Sequence, residues 1–259
     1  VEAAEAIVER VLSGGQKGLI WHYQGTGKSL LMAFAALMLL NNEEVGGPTV
    51  VVVLDRLDLI EQIERQFKTA GLPRVTTAVS KDDLRAILKE DRRGIVLTTI
   101  FRFEGAGELN TRENIVVFVD EAHRTQEGSL ADDMRTALPN ARFFGLTGTP
   151  ISDKERNTFK LFGDVNDPGY VLNTYSMERS IVDGASVPVH VETRLVDFHL
   201  DRQALDEAFD QMADEEELTD EEREFLAGKA AHVKTILLNP DRIAAVCKDI
   251  LDHFEAKIA

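Results

Sequence analysis

Residues 18–40 hold a pattern that few folds accept: a short apolar run, Gly18-Leu19-Ile20-Trp21, then a turn with glycines at 25 and 27, then eleven consecutive apolar residues over 30–40. A run too short for a helix, a glycine turn and a stretch apolar on every side read as a buried strand, a tight loop and a buried helix. The turn itself, Gln24-Gly25-Thr26-Gly27-Lys28-Ser29, adds chemistry to that order. Its glycines let successive N–H groups and the following helix's N-terminus point at anionic oxygens, which is how a phosphate is held. Lys28 supplies a cation for β- and γ-phosphates, and Ser29 a hydroxyl for Mg²⁺. The full phosphate-loop pattern has a further glycine five positions before Gly27, where this chain carries His22. The Gly-x-Gly-Lys-Ser core therefore carries the reading, against the plain alternative of a glycine turn before an ordinary core helix.

A second piece fits the first. The β-rich run 114–119 ends on two adjacent acids, Asp120 and Glu121, as expected of carboxylates delivered at the carboxyl end of a buried parallel strand. Asp120 is placed to hold Mg²⁺ and Glu121 to orient or deprotonate an attacking water. Two acids after a strand are often only a solvated turn; following Gly-x-Gly-Lys-Ser, they read as a nucleotide site.

The chain has 259 residues with 44% hydrophobic content, enough for one large or two small domains. No apolar stretch is long enough to span a bilayer and no signal segment opens the chain, so a cytoplasmic setting without a membrane partner is expected. The single cysteine, Cys247, excludes an internal disulfide or cysteine-rich zinc site, and its apolar neighbours predict a buried structural thiol. Net charge is −16, an unusual balance for a partner of DNA, but residues 197–224 contain 13 acids and 2 bases. That segment holds −11 of the total and reads as a solvated helical face or connector.

Strands at 49–54, 74–78, 94–98, 114–119 and 141–146 alternate with helices at 57–67, 82–89 and about 129–138, which predicts a parallel α/β sheet. The expected organisation is a nucleotide-binding lobe over 1–150, an extension over 151–200, an acidic helical connector over 201–240 and a further element over 241–259. The extension carries an edge or extended strand at 187–194. Helices are expected at 204–212 and 220–238, and Asn239-Pro240 caps a helix running to residue 258. Pro240-Asp241 with Glu255-Ala256-Lys257 also spells the text of many restriction nucleases. Fourteen helical residues would hold those acids roughly 21 Å apart, too far to share a metal.

With Gly25-Thr26-Gly27-Lys28-Ser29, Asp120-Glu121-Ala122-His123 and Leu146-Thr147-Gly148-Thr149-Pro150 in that order, the chain resembles the first RecA-like lobe of superfamily 2 helicases and translocases. His22-Tyr23-Gln24, Asp55-Arg56-Leu57-Asp58-Leu59, Leu97-Thr98-Thr99-Ile100-Phe101-Arg102-Phe103 and Arg124 look like the motor subunit of type I restriction-modification enzymes. Two later segments, 175–184 and 218–223, look like it too.

This resemblance implies an ATP-driven, Mg²⁺-dependent translocase of double-stranded DNA, working beside modification and specificity subunits and moving DNA before cleavage. It assigns His123, Thr147 and Thr149 to coupling hydrolysis with movement, and Arg56, Thr98 and Thr99 to the DNA phosphate backbone. Such contacts are sequence-neutral and salt-sensitive. Adenine as the base rests on the resemblance alone. The nuclease domain, an upstream adenine-reading glutamine motif and the second lobe are expected to lie outside this chain, with 241–259 as that lobe's start. Because the second lobe's arginine finger contributes about 10³ to 10⁵ in rate, the chain alone is expected to bind ATP·Mg²⁺ and turn it over slowly. Two alternatives stay open: another superfamily 2 DNA motor, of type III restriction or chromatin-remodelling kind, and a non-hydrolysing nucleotide-binding scaffold. Thr147-Gly148-Thr149 in place of Ser-Ala-Thr favours translocation without strand separation.

Overall fold

The computed structural model describes residues 1–123, 130–152, 157–188, 190, 191, 193, 237 and 239–258. The chain divides into two compact units, Val1–Pro188 and Val189–Ala259.

The first unit is built on parallel strands β1 (Lys17–His22), β2 (Thr49–Leu54), β3 (Val75–Thr77), β4 (Gly94–Thr99), β5 (Ile115–Asp120), β6 (Arg142–Thr147) and β7 (Asn173–Tyr175). They form one seven-stranded sheet in the order β3-β4-β2-β5-β6-β1-β7, every pairing parallel. The alternating strand-helix pattern predicts this α/β architecture, and the structure has it. Strands β2, β4 and β5 are buried at every position, which explains why they are continuous apolar runs rather than alternating ones.

Helices α1 (Glu2–Leu12), α2 (Lys28–Asn41) and α3 (Leu57–Thr69) cover one face of the sheet. Ile7, Met32, Leu39 and Phe67 pack there with Val50, Val52, Phe118 and Phe144. The opposite face is covered by α4 (Lys81–Lys89), α5 (Leu130–Ala137) and α6 (Thr158–Phe162), whose Leu84, Leu88, Met134 and Phe162 meet Val51, Val53, Val117 and Phe143. The period-2 alternation of strand side chains thus feeds two cores from one run of valines.

The structure departs from the sequence reading in two places. Sequence reading places no element before residue 18, yet α1 begins the fold. Its Ala3, Ala4, Ile7, Val8 and Val11 are buried, a helical stripe made inconspicuous by its two alanines. The edge strand is expected at 187–194, but the described residues of that range have no regular structure, and Val187 and Val191 are 81% and 85% exposed. The edge of β1 is occupied by β7. α7 (Met177–Val182) follows β7 and is capped by the Ser176 hydroxyl.

In the second unit the described residues form α8 (Pro240–Ile258), capped as expected by Asn239, whose Oδ1 accepts from the Arg242 N–H at 3.0 Å. Asp241 and Glu255 lie on this one helix, so they are not a nuclease pair. Cys247 is exposed rather than buried. An apolar stripe encloses a thiol only where another element lies over it, and here Ile250, Leu251 and Phe254 are each 60% exposed. The expected helices at 204–212 and 220–238, the acidic segment 197–224 and Arg124 lie outside the described residues.

Candidate functional site

Parallel strands deliver their carboxyl ends to one edge of a sheet, and every sequence-predicted site residue of this chain falls at or just beyond such an end. The phosphate loop follows β1, Arg56 follows β2, Thr98 and Thr99 close β4, Asp120 closes β5 and Thr147 closes β6. Strand β6 lies between the other two, with Thr147 in register with Trp21 of β1 and Leu146 in register with Asp120 of β5.

In the loop, Gly25 and Gly27 have φ of +78° and +84°. A side chain at Gly25 would meet nothing within 4 Å, so glycine is needed there for its backbone angle and not for space. Thr26 Oγ1 donates to the Tyr23 carbonyl at 2.6 Å and ties the turn. Gly27 sits at the N-cap of α2, so the helix's first N–H groups open onto the loop, with Lys28 and Ser29 in its first turn. Gln24 is exposed at the loop's rim.

His22 takes the place of the missing glycine without strain because it is the last residue of β1 and not part of the turn. Its Nε2 lies 2.8 Å from Asn173 Oδ1 on β7, and its ring packs against Tyr175. Burial holds its pKa below the ordinary value, against the hydrogen bond to Asn173, and the nearby Lys28 charge lowers it further. The ring is therefore neutral at pH 7 and donates to Asn173. Lys28 Nζ donates to the His22 carbonyl at 3.4 Å.

Opposite the loop, Asp120 is buried and its carboxyl is pushed up to about 6, first by desolvation and then by the adjoining Glu121 charge; Lys28 partly offsets this. Asp120 Oδ1 and Glu121 Oε2 are both buried without a hydrogen-bond partner. Buried polar atoms are nearly always bonded, so two such oxygens on adjacent residues point to groups that complete the site. Glu121 also holds a left-handed backbone, φ +46°, a conformation that costs a non-glycine residue on the order of 1 kcal/mol. The turn is fixed by Ala122 N–H, which donates to the Leu146 carbonyl at 3.1 Å.

His123 Nδ1 stands 2.8 Å from Thr147 Oγ1 and 3.3 Å from Glu121 Oε2. The second contact is an electrostatic approach, not a well-formed hydrogen bond. Thr147 Oγ1 accepts from the Thr149 N–H at 3.1 Å. Glu121, His123, Thr147 and Thr149 thus form one connected group.

Two links were not legible in the motifs. Trp21 Nε1 donates to the Gly148 carbonyl at 3.2 Å. A Cβ at Gly148 would come within 3.1–3.2 Å of Gln24 Cγ, Gln24 N and the His22 carbonyl oxygen. The segment after β6 therefore lies directly on the phosphate loop, and glycine is needed there for room.

The residues assigned to DNA divide. Arg56 is 58% exposed in its side chain, with Nε 3.7 Å from Asp55 Oδ2. Thr98 and Thr99 are 0% and 2% exposed, and the Thr98 hydroxyl turns to the Thr99 carbonyl at 3.4 Å. A DNA phosphate cannot reach either threonine side chain in this arrangement, because both are enclosed strand residues.

A Mg²⁺ ion fits the donors present. Among the described residues no three His, Cys, Asp or Glu side chains converge on a metal cage, and Mg²⁺ beside a nucleotide ordinarily uses one or two protein oxygens plus substrate phosphates. The unpartnered Asp120 Oδ1 and the Ser29 hydroxyl are of that kind. Among the described residues no helix is long and apolar enough to cross a membrane.

Residues 1–224 match the family described as SWI2/SNF2 ATPase. The chain is 35% identical over 247 residues to a putative type I restriction enzyme MjaIXP endonuclease subunit of Methanocaldococcus jannaschii, covering 93% of this chain and 23% of that one. It is 34% identical over 280 residues to the type I restriction enzyme HindI endonuclease subunit of Haemophilus influenzae, covering 98% and 25%. The chain therefore spans about a quarter of the length of these relatives. A type ISP restriction-modification enzyme, LlaGI, solved with a DNA substrate mimic, is similar at TM-score 0.49 and 15% identity, over 71% of this chain and 17% of that one. With the glycine loop, the acids and Thr147 assembled on one sheet edge, and the match running over most of its length, the chain belongs to the SWI2/SNF2 ATPase family.

Proposed function

We propose that this chain is the ATP-binding motor lobe of a type I restriction enzyme's endonuclease subunit, hydrolysing ATP to move double-stranded DNA before cleavage. One observation carries the reading: two adjacent carboxylates each keep a buried oxygen without a hydrogen-bond partner, Asp120 Oδ1 and Glu121 Oε2, the latter approached by His123 at 3.3 Å, at the same sheet edge as the phosphate loop. A scaffold that only bound nucleotide would have no use for the second.

In this reading the loop N–H groups from Gly25 to Ser29 and the α2 N-terminus hold the phosphates, and the Lys28 ammonium faces their charge. Ser29 and Asp120 would hold Mg²⁺, which neutralises charge on the phosphate oxygens. Glu121 orients the attacking water and takes its proton. His123 links that carboxylate to Thr147 and Thr149, so a change at the reacting phosphate reaches the segment that lies on the loop. Exposed Arg56 is the DNA contact this arrangement supports, through phosphates and not bases. The modification and specificity subunits would supply target choice, and the setting would be the cytoplasm.

The test uses the whole endonuclease subunit assembled with its partner subunits. Lys28→Ala is expected to abolish ATP binding, and Glu121→Gln to leave ATP bound but unhydrolysed, with DNA translocation lost in both. Parental translocation by either variant refutes the motor reading.

A further inference from the structure

Trp21 is the one tryptophan of the chain and the one exposed position of β1, whose other residues are buried or half-buried. Alternation along the strand puts it with Leu19 on the face of the sheet that α6 covers. The indole stays 40% exposed, yet both of its parts are engaged. Its Nε1 donates to the Gly148 carbonyl at 3.2 Å, and its ring meets Phe159 of α6 edge-on, with centroids 6.2 Å apart and planes at 80°. Those two contacts bracket one segment. The ladder between β1 and β6 ends at the pair Trp21 and Thr147, so Gly148 is the first residue past it, while Phe159 lies in the first turn of α6. Between them Ile151 is bonded twice to Thr158: its N–H donates to the Thr158 hydroxyl at 3.1 Å, and its carbonyl accepts from the Thr158 N–H at 2.9 Å. The segment that leaves β6 is thus closed at its base, and an indole on the phosphate strand touches both of its ends.

We infer that Trp21 is a positioning residue of the motor: its N–H holds the Gly148 carbonyl so that Thr147 and Thr149 keep their reach to His123. The inference rests on the motor reading and extends it to a residue outside the phosphate loop, the acids and the coupling threonines. The Gly148 carbonyl and the Thr149 N–H belong to the same planar peptide, so fixing one fixes the other. That N–H donates to Thr147 Oγ1 at 3.1 Å, and Thr147 Oγ1 stands 2.8 Å from His123 Nδ1, itself 3.3 Å from Glu121 Oε2. Contacts therefore run from the indole, through one peptide plane, to the carboxylate that orients the water. Glycine leaves that plane poorly restrained, because residue 148 has no side chain to limit its backbone angles. The indole supplies the missing restraint, and it carries its one donor on a rigid ring, so little side-chain freedom is lost in making the bond. Trp21 acts through Gly148 and not on the nucleotide.

The experiment measures DNA-stimulated ATP turnover and thermal melting side by side, in the whole endonuclease subunit assembled with its partner subunits. Trp21→Phe keeps an aromatic ring beside Phe159 and removes the donor. It is expected to lower kcat roughly tenfold, the scale of one positioning hydrogen bond, with the KM for ATP within about twofold of the parent. Trp21→Gln offers an N–H the same number of bonds from Cβ without the ring, and is expected to recover most of the lost turnover. A role in packing alone gives the opposite order, with Trp21→Phe near the parent and Trp21→Gln impaired, and that order overturns the inference. A raised KM at parental kcat overturns it as well, and so does a loss of kcat that follows a lowered Tm and vanishes when the assay is cooled. If Trp21→Gln melts below the assay temperature, the split between kcat and KM in Trp21→Phe decides alone. Parental kcat in Trp21→Phe removes this inference and leaves the motor reading standing; parental translocation by Glu121→Gln removes both.

Discussion

The two ends of the central sheet handle polar groups in opposite ways. At the amino ends, Arg112 donates to Thr49 Oγ1 at 3.0 Å and Asn110 Oδ1 at 3.2 Å and pairs with Asp91 at 2.5 Å. Arg93 donates to the carbonyls of Gly46 and Gly47, and Asn114 Nδ2 donates to Gly46 at 3.2 Å. At the carboxyl ends, Asp120 and Glu121 keep buried oxygens without hydrogen-bond partners, Glu121 holds a left-handed backbone and burial disfavours the Asp120 charge. Strands β2 and β5 thus begin in a dense hydrogen-bonded network, although Arg142 Nε at the start of β6 is buried without a hydrogen-bond partner, and the carboxyl ends keep a demand for ligands. Stability is concentrated at the first end, and at the second it is given up for chemistry.

If that contrast is right, changes at the carboxyl end should act on turnover and changes at the amino end on stability. The largest effect is expected for Glu121→Gln, which removes the proton acceptor and should lower ATP turnover by the DNA-stimulated whole subunit about 10²- to 10⁴-fold. Its ATP affinity, read by equilibrium binding, should stay near the parental value. Arg112→Ala is expected to cost about 2 kcal/mol of stability by stranding several hydrogen bonds, lowering Tm by roughly 4–8 °C. A calorimetric scan checks this, and ATP affinity below the transition should not change. A loss of affinity there would erase the contrast.

Asp120→Asn should do the reverse. A carboxyl raised from 3.8 to about 6 favours the fold fully below its unfolded value, and that contribution is lost as pH rises through about 6. At pH 7.5 without Mg²⁺, the ionised carboxylate therefore costs about 2–3 kcal/mol, and the asparagine variant should melt higher. The gap should close as pH falls toward 4, and a wild-type chain that melts higher at pH 7.5 without metal would sink the assignment. The smallest effect is expected for Gly148→Ala, whose methyl meets the backbone of Gln24 and His22. A cost of about 1 kcal/mol, with a several-fold fall in turnover, would show that the contact transmits to the loop; unchanged turnover would confine it to packing.

The residues of the carboxyl edge were legible because their chemistry is local. A glycine pair before Lys28-Ser29, or two acids after an apolar strand, says what it needs within a few positions. Strands β2, β4 and β5 were legible for a similar reason, being apolar at nearly every residue. What escaped depended on partners distant in the chain. β7 is Asn173-Thr174-Tyr175, three residues without an apolar run, and it is a strand because the edge of β1 is open to it. Val187 and Val191 stand in a segment of better strand composition, yet neither takes regular structure. Thr98 and Thr99 carry a motif's text but lie in a strand with neighbours on both sides and helices over both faces. Cys247 sits on an amphipathic stripe that predicts a cover, and the stripe is exposed.

Strand β6 is hydrogen-bonded to β1 on one side and β5 on the other. The phosphate cradle and the acids are consequently two strand spacings apart, roughly 9–10 Å, and cannot drift relative to one another without tearing a parallel ladder. The sheet acts as a fixed gauge: a nucleotide is measured by whether it spans the gap, and it is the ligand, not the gap, that changes length when a phosphate is lost.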